Sequence, residues 1–192
     1  MNPQTSRRFR TARKIQAAAV TLAARHGLAN VTTEAIARQA EISTRTFFNH
    51  FPYKEAAIMG PPPDYPAEAS EVFVAGHGRL IDDLNLLIES HLSRYLGDRE
   101  MVAQINRLAA EDQKVGALFS SAILARRAQM RELLKRRLPD TDYRKIEILA
   151  AAIVAATNTA TRQWVTGPQE DLIALAREHL ALIVGSAQLL NS

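Results

Sequence analysis

Apolar residues recur at intervals of three and four positions along most of the chain, and no stretch alternates strictly between apolar and polar residues. This period is typical of helices that bury one face, so the pattern predicts an all-α protein. The expected helices cover about 8–26, 33–40, 44–50, a short stretch from 54, 80–95, 101–108, 115–134, 142–165 and 169–190.

Residues with strong local preferences mark the ends of these helices. Gly27 follows the first helix and suits its C-terminal cap. Thr32, Thr33 and Ser43 stand where the next two helices begin, and their hydroxyls can accept hydrogen bonds from first-turn amides. Four of the eight prolines lie in the segment 60–66, which must interrupt any helix because proline lacks the amide hydrogen. We therefore expect two domains, 1–59 and 60–192, with a further break at 76–78.

Charge also separates these two regions. Residues 1–54 hold nine of the 24 lysine and arginine residues and only two glutamates, although the net charge of the whole chain is only +4. The remainder is mildly acidic. A compact basic segment indicates contact with a polyanion such as nucleic acid, although a solvated basic surface would have the same composition.

Composition narrows the class of protein further. The chain is 47% hydrophobic and 23% charged, which is ordinary for a globular protein, and it has no cysteine. No apolar run reaches the roughly 20 residues that span a bilayer, and the N-terminus lacks the apolar stretch of a secretory signal. We expect a cytoplasmic protein without membrane contact. The histidine spacing and the absence of catalytic signatures predict no metal, no cofactor and no enzymatic activity.

Two short helices joined by a tight turn follow the first helix in the basic segment, which is the order of a helix-turn-helix. In that motif the second short helix enters the major groove and the first lies across the backbone. The outer face of the second short helix offers hydroxyl, guanidinium, amide and imidazole groups, which suit phosphates and base edges. The expected core between the two helices consists of Ile36, Ala37, Ala40, Ile42, Phe47 and Phe51.

Residues 10–57 resemble the DNA-binding domain of the TetR family of bacterial transcriptional regulators. The resemblance rests on Thr32-Thr33-x-x-Ile36-Ala37, Ala40-x-Ile42-Ser43, Thr46-Phe47-Phe48-x-His50-Phe51 and Lys54-Glu55. It implies an N-terminal three-helix helix-turn-helix DNA-binding domain followed by a C-terminal helical ligand-binding and dimerisation domain.

Two positions depart from the family pattern. Glu41 replaces the usual turn glycine, and a side chain at positive φ costs ~1–2 kcal/mol. Phe48 replaces a tyrosine whose hydroxyl would bind phosphate, so at that position only ring packing remains.

The resemblance also implies roles on DNA. Thr44 and Arg45 would face base edges, where Arg45 could bind guanine through two hydrogen bonds. His50 would contact phosphate, with a core position as its alternative, and Asn49 could serve either role. Phosphate contacts are further expected from Thr33, Ser43, Thr46 and Lys54. The full expected DNA-binding set is Thr33, Ser43, Thr44, Arg45, Thr46, Phe48, Asn49, His50 and Lys54, with Arg7, Arg8 and Arg10 as a flexible arm along flanking DNA.

The remainder of the chain predicts assembly and a ligand site. The helices at 142–165 and 169–190 carry wide, alanine-rich apolar stripes, which indicate a four-helix homodimer interface; a thick monomer core is the alternative. A pocket for a largely apolar, uncharged or weakly anionic small molecule is expected, although some of its members also suit a plain core. The expected pocket residues are His91, Tyr95, Phe119, Met130, Asn158, Thr161 and Trp164.

The basic run at 126–137 indicates the solvated face of an amphipathic helix, with a second nucleic-acid patch as its alternative. Taken together, the expected function is a dimeric repressor that binds double-stranded operator DNA and is released by a small-molecule effector. The break at 60–66 predicts coupling through the packing of residues 54–59 and the first helix rather than through a long lever. The alternatives are an activator, or a helical interaction protein that no longer binds a specific operator.

Overall fold

The computed structural model describes residues 3–61, 64–168 and 171–191, and within these ranges the chain forms helices and no strands. The α-helices are α1 Pro3–His26, α2 Thr33–Gln39, α3 Thr44–His50, α4 Lys54–Met59, α5 Ala67–Ala75, α6 Leu80–Leu92, α7 Arg99–Glu111, α8 Gln113–Arg137, α9 Tyr143–Thr166 and α10 Leu172–Gln188. Short 3₁₀ turns occupy Leu28–Asn30, Ser93–Tyr95 and Leu189–Asn191. The all-α prediction is confirmed.

The helices differ from the sequence prediction in three places. α1 begins at Pro3 rather than near residue 8. The pattern did not predict α5, which lies between the two expected breaks and buries Ser70 and Phe73. α10 begins at Leu172, where the Asp171 side chain accepts a hydrogen bond from the Ala174 amide at 2.9 Å. The expected start at Gln169, and Pro62 and Pro63 of the proline-rich break, lie outside the described residues.

The chain divides into two compact units. The described parts of Met1–Pro62 and Glu100–Ala122 form one, called here the head unit; those of Pro63–Arg99 and Ile123–Ser192 form the other, called here the body unit. By packing, the head unit therefore includes α7 and the first part of α8 as well as the N-terminal helices. The functional division at residues 59 and 60 stays a prediction.

The head unit has one apolar core. Ile15, Ile36, Phe47 and Ile58 are fully buried, and Val115 from α8 joins the same cluster. Each fully buried side chain of this size stabilises the fold by about 1.5–3 kcal/mol. The predicted core of the helix-turn-helix is confirmed, since Ile36, Ala37, Ala40, Phe47 and Phe51 are buried and Ile42 packs against them.

The body unit buries apolar faces of α6, α8, α9 and α10. α9 and α10 pack along each other, and α10 also contacts α6. Leu87, Ile153 and Leu172 are at most 1% exposed. None of the helices in the described ranges is both long and apolar enough to cross a membrane.

Candidate nucleic-acid interface and effector domain

Hydroxyl groups cap the first turn of both short helices in the head unit, as the sequence predicts. Thr32 Oγ1 accepts a hydrogen bond from the Ala35 amide at 3.1 Å, so Thr33 is the first residue of α2. Ser43 Oγ accepts one from the Thr46 amide at 3.1 Å. These bonds fix where α2 and α3 begin, with Thr33 half-buried and Ser43 exposed at the helix starts.

The turn between α2 and α3 passes through Glu41, whose φ of 55° lies in the left-handed region. No other non-glycine residue in the described ranges has a positive φ. Glu41 N donates to Arg38 O at 3.1 Å, and Ile42 N donates to Ala37 O at 2.9 Å. The positive φ expected from the departure at this position is confirmed, and two backbone bonds hold the turn in spite of its strain.

α3 has a buried face and an open face. Phe47 is fully buried, and Phe48 packs edge-on against it with ring centroids 5.4 Å apart. Phe48 is nevertheless 52% exposed, whereas most aromatic rings of folded proteins are largely buried. Arg45 and Asn49 are exposed, and their side chains make no hydrogen bond or ion pair with another described residue. The open face comprises Thr44, Arg45, Thr46, Phe48, Asn49 and His50.

His50 is half-buried at the end of α3, near Arg8 of α1. Partial burial first, and the positive charge of Arg8 second, hold the pKa of His50 below its usual range. The imidazole is therefore neutral near pH 7 and can donate one hydrogen bond. Arg7, Arg8 and Arg10 are exposed but lie within α1, so the expected flexible arm is instead part of a helix.

Lys54, the first residue of α4, is bonded within the head unit. Its ammonium group donates to the carbonyl oxygens of Leu28 at 2.7 Å and Val31 at 3.0 Å. An ammonium group has three N–H donors, so one remains for another partner. The expected phosphate contact of Lys54 is restricted to that donor and stays a prediction.

The last turn of α4 is tied to α1. Gln16 is 4% exposed, and its Nε2 donates to Ile58 O at 3.2 Å and Met59 O at 3.1 Å. Gly60 ends α4 at φ 76°, where a Cβ would lie only 2.3 Å from the Gln16 side chain. The predicted shortness of α4 is confirmed. Sequence reasoning missed Gln16, because helical periodicity does not reveal a buried amide that bonds to another helix.

The beginning of α8 belongs to the same unit as the helix-turn-helix. Lys114 Nζ lies 3.2 Å from Glu55 Oε2 and 4.2 Å from the centre of the Tyr53 ring. Leu108 of α7 and Val115 of α8 are buried in the head core. Residues near 100–122, which the sequence assigned to the ligand-binding domain, are therefore packed with the helix-turn-helix.

The residues expected to line an effector pocket do not form one group. Phe119 is half-buried on α8 within the head unit, while the other six lie in the body unit. Met130 and Trp164 are core residues at 0% and 2% exposure. Thr161 is half-buried, and its hydroxyl donates to Thr157 O at 2.9 Å. His91, Tyr95 and Asn158 belong to a polar cluster of the body unit.

This polar cluster surrounds His91, which is 2% exposed on α6. Its ring centroid lies 4.8 Å from that of Tyr65 and 5.9 Å from that of Tyr95, and its Nδ1 lies 2.9 Å from Arg94 Nη2. Because a guanidinium only donates, Nδ1 accepts and the ring is neutral. Burial first, then the positive charges of Arg126 and Arg94, lowers the pKa of His91 to about 3.

Side chains of α8 and α9 complete the cluster. Arg126 Nη1 donates to Asn158 Oδ1 at 3.0 Å. Gln129, one turn further along α8, donates to the Asp64 carboxylate. The sequence did not single out Arg94 or Gln129, and it placed Arg126 in an undifferentiated basic run.

The described part of the body unit has at least two cavities, and both are open to solvent over much of their extent. The larger, of about 460 Å³, is lined by Asp64, Tyr65, Ser70, Ala128, Gln129, Arg131, Glu132 and Leu133. The smaller, of about 300 Å³, lies between α5 and α6. Neither is lined by the seven residues expected from the sequence, so that set stays a prediction. The larger cavity borders the polar cluster, because Tyr65 and Gln129 belong to both.

Most of the basic run on α8 is paired with carboxylates. Arg127 and Arg131 both lie 3.0 Å from Glu147, which they share. The remaining pairs are Arg131 with Glu132 at 3.2 Å, Arg136 with Glu71 at 2.7 Å, Arg137 with Asp83 at 2.8 Å and Lys135 with Glu132 at 3.6 Å. These pairs favour the amphipathic-helix interpretation over a second nucleic-acid patch.

No three His, Asp or Glu side chains converge as a possible metal site among the described residues. The expectations of no metal and no cofactor stay predictions. The geometry that stands out in the head unit is different: two capped helices, a tight turn and an open polar face on the second helix. It defines a helix-turn-helix.

Comparison with known proteins agrees with this motif. Residues 15–56 match the family model described as bacterial regulatory proteins, tetR family. This match confirms the resemblance of the N-terminal segment to that family, and the rest of the described chain is helical, as expected. A search of the curated proteins found no match to the chain.

Solved structures share the fold over nearly the whole chain. The TetR-family repressor FadR of Thermus thermophilus, in complex with lauroyl-CoA, is 21% identical with a TM-score of 0.59, covering 90% of this chain and 93% of that chain. The fatty acid degradation regulator FadR of Bacillus halodurans is 18% identical with a TM-score of 0.59, covering 96% of both chains. A putative TetR-family regulator of Mesorhizobium loti is 16% identical with a TM-score of 0.58, covering 96% and 98%.

Proposed function

We propose that this protein is a cytoplasmic, homodimeric repressor that binds an operator through α3 and leaves it when a small molecule binds the body unit. It acts by binding rather than by catalysis. The observation that carries the proposal is the open face of α3, where exposed Arg45 and Asn49 stand beside polar Thr44 and Thr46. A helix that buries its apolar face in the domain and leaves its polar face open is the arrangement that enters a major groove.

Roles on DNA follow from where each side chain lies. Arg45 is the strongest candidate for base reading, because an exposed guanidinium can bind guanine O6 and N7 together. His50, with Arg8 near it, faces phosphate as a neutral donor beside a positive charge. The amides at the start of α3 add a phosphate contact next to Ser43.

A homodimer is supported by apolar side chains that α9 and α10 leave exposed in one chain. Ile148 is 70% exposed, and Val184 and Leu182 are 69% and 58% exposed. A second copy that covered these side chains would complete a four-helix interface. In sedimentation, Val184→Glu should convert the dimer to a monomer. Val72→Glu, at a site 60% exposed on α5, should leave it a dimer. A monomeric unmutated protein would exclude this part of the proposal.

The body unit supports a small-molecule effector. Its larger cavity, of about 460 Å³, is in the usual size range of small-molecule sites. The structurally similar FadR of Thermus thermophilus was solved in complex with lauroyl-CoA, a molecule with an apolar chain. A largely apolar effector fits both observations.

One observation favours the alternative of an interaction protein without a specific operator. Phe48 exposes an apolar ring where the family pattern has a tyrosine, so α3 has lost one phosphate-binding hydroxyl.

Titration of apolar ligands by calorimetry, with and without operator DNA, tests the proposal. An effector should bind more tightly to the unoccupied protein than to the operator complex, because coupling between two sites is reciprocal. If every ligand that stabilises the protein leaves operator affinity unchanged, the induction mechanism is wrong.

A further inference from the structure

Two arginines in the body unit, Arg94 and Arg126, differ from most other arginines there in the groups to which they bond. Arg127, Arg131, Arg136, Arg137 and Arg177 all pair with carboxylates. Arg94 and Arg126 bond only to neutral acceptors within the described part of the chain. Arg94 donates to Asp64 O at 2.8 Å and His91 O at 3.2 Å, and Arg126 to Asn158 Oδ1 at 3.0 Å. Two positive charges therefore meet around the buried His91 without a paired anion.

The cluster also holds two buried donors that have no acceptor among the described residues. These are Arg126 Nε–H and the hydroxyl of Tyr65, a residue only 7% exposed; one buried acceptor of the cluster, Gln129 Oε1, also has no partner there. Burial raises the pKa of Tyr65 to about 12, so its hydroxyl keeps its proton and can donate. A buried donor without an acceptor is costly, and the cost is larger for a charged group. The two donors therefore call for an oxygen acceptor.

The charge of the cluster favours a monoanion. Arg94 and Arg126 are positive, and the nearby Asp64 carboxylate is negative and accepts from Gln129. His91 adds no charge, because burial and the two guanidiniums hold its pKa near 3. One net positive charge thus remains around Arg126. A dianion is disfavoured, because its second negative charge would exceed this net charge and would lie near the Asp64 carboxylate in the cavity wall, where Glu132 is already paired with Arg131.

The neighbouring cavity supplies space for an apolar group. Tyr65 and Gln129 belong both to the cluster and to the wall of the cavity of about 460 Å³. Ala128 and Leu133 contribute apolar surface to the same wall. Arg126 does not line the cavity itself, but its charge acts on Tyr65, which does. A molecule with its acidic end between Tyr65 and Arg126 would therefore extend along Ala128 and Leu133.

We propose that this cluster binds the carboxylate of a small monocarboxylic acid with an apolar body. Arg126 Nε–H and Tyr65 O–H donate to the two carboxylate oxygens, and the apolar body occupies the cavity along α8. The inference rests on the proposed function, since this acid is then the effector of the regulator.

Calorimetry on the full chain tests the charge requirement. The probes are a series from butanoic to dodecanoic acid, together with the alcohol and the monoalkyl phosphate of matched length. The best acid should bind about tenfold or more tightly than its alcohol, because charge-assisted hydrogen bonds are worth that factor or more. It should also bind more tightly than the phosphate. If no acid in the series is preferred over its alcohol, the proposal is overturned.

Three variants test the residues. Arg126→Gln should reduce the affinity for the acid about tenfold and leave the affinity for the alcohol unchanged. Tyr65→Phe keeps the ring against His91 and should reduce acid binding several-fold. Arg136→Gln, which removes an exposed pair with Glu71 on the same helix, is the matched control and should bind as the unmutated chain does. Circular dichroism checks that each variant is folded.

The outcomes separate this site from the proposed function. If Tyr65→Phe and Arg126→Gln both keep the acid-to-alcohol preference of the unmutated chain, the carboxylate site is excluded. If both variants lose that preference but the acid does not change operator affinity in the unmutated chain, the site is established. In that case the proposed induction fails.

Discussion

Replacing Lys54 with methionine tests whether this lysine has a structural role in the head unit. Lys54→Met keeps the length of the side chain and removes the ammonium that donates to Leu28 O at 2.7 Å and Val31 O at 3.0 Å. Both carbonyls lie at or next to the short turn that precedes α2. The change therefore removes a cross-link between the start of α4 and the segment that positions the helix-turn-helix.

The expected loss of stability follows from these two bonds. A hydrogen bond to a charged group contributes about 1.5–3 kcal/mol net. Lys54 is only half-buried and one ammonium serves both carbonyls, so we expect about 2 kcal/mol for the pair rather than the sum. For a chain of this size that corresponds to a decrease in Tm of about 4–8 °C.

Urea and thermal unfolding followed by circular dichroism measure this loss. Lys14→Met is the matched control, because Lys14 is an exposed lysine whose only described ion-pair partner, Glu41, is 3.9 Å away and also exposed. DNA binding is measured in parallel at several salt concentrations, where loss of one phosphate contact reduces the slope by about 0.9 per site. If Lys54→Met is as stable as the unmutated chain, the structural role is refuted. A reduced salt slope would then assign Lys54 to phosphate alone.

Three further predictions concern single residues. Arg45→Ala should weaken the free energy of operator binding by ~1–3 kcal/mol and relax the base preference at one base pair per half-site. Arg25→Ala, at another exposed arginine, should change neither quantity. An unchanged base preference in Arg45→Ala would exclude Arg45 as a base-reading residue. Glu41→Gly should raise the free energy of unfolding, measured by urea unfolding, by about 0.5–1 kcal/mol. The substitution relieves ~1–2 kcal/mol of backbone strain, and the greater entropy of glycine in the unfolded state offsets part of that gain. The control Glu41→Ala should show no such gain. Folding lowers the pKa of His91 to about 3. Below pH 6.5 the unfolded state therefore binds a proton that the folded state does not. The free energy of unfolding should then fall by about 1.4 kcal/mol per pH unit from about pH 6 towards pH 3. His91→Gln should flatten that dependence, and an equal acid sensitivity in both proteins would contradict the assignment.

The helix-turn-helix could be predicted from sequence because its determinants are local. Thr32 and Ser43 cap helices that begin one residue later, and Phe47 faces the core at helical spacing from Phe51. The strain at Glu41 was also predictable, since it follows from one residue in one turn.

Contacts between distant segments could not be predicted in this way. Lys54 bonds to carbonyls 26 and 23 residues earlier, and periodicity gives no sign of either bond. Residues near 100–122 read as part of the ligand-binding domain, but Val115 is buried in the head core. α5 was missed because nine residues between two breaks show too few helical turns to establish a period.

The candidate effector site also depends on contacts between distant segments, which the sequence does not reveal. The basic run at 126–137 looks uniform in sequence, yet Arg126 is bonded to an amide while the others in the run pair with carboxylates. That difference depends on Asn158 of α9 and on which acidic residues other helices bring close. Sequence could indicate His91, Tyr95 and Asn158 as polar residues near apolar faces, but not the guanidinium around which they meet.

Footprinting on the DNA upstream of the protein's own coding region tests the central claim most directly. The experiment is carried out at moderate salt with an excess of bulk competitor DNA, because non-specific binding is lost first under these conditions. We predict that a near-palindromic site stays protected, with half-site centres separated by a whole number of helical turns, and that Arg45→Ala removes this protection. Protection that disappears equally from all sequences as competitor is added would contradict the assignment of this chain as an operator-binding regulator.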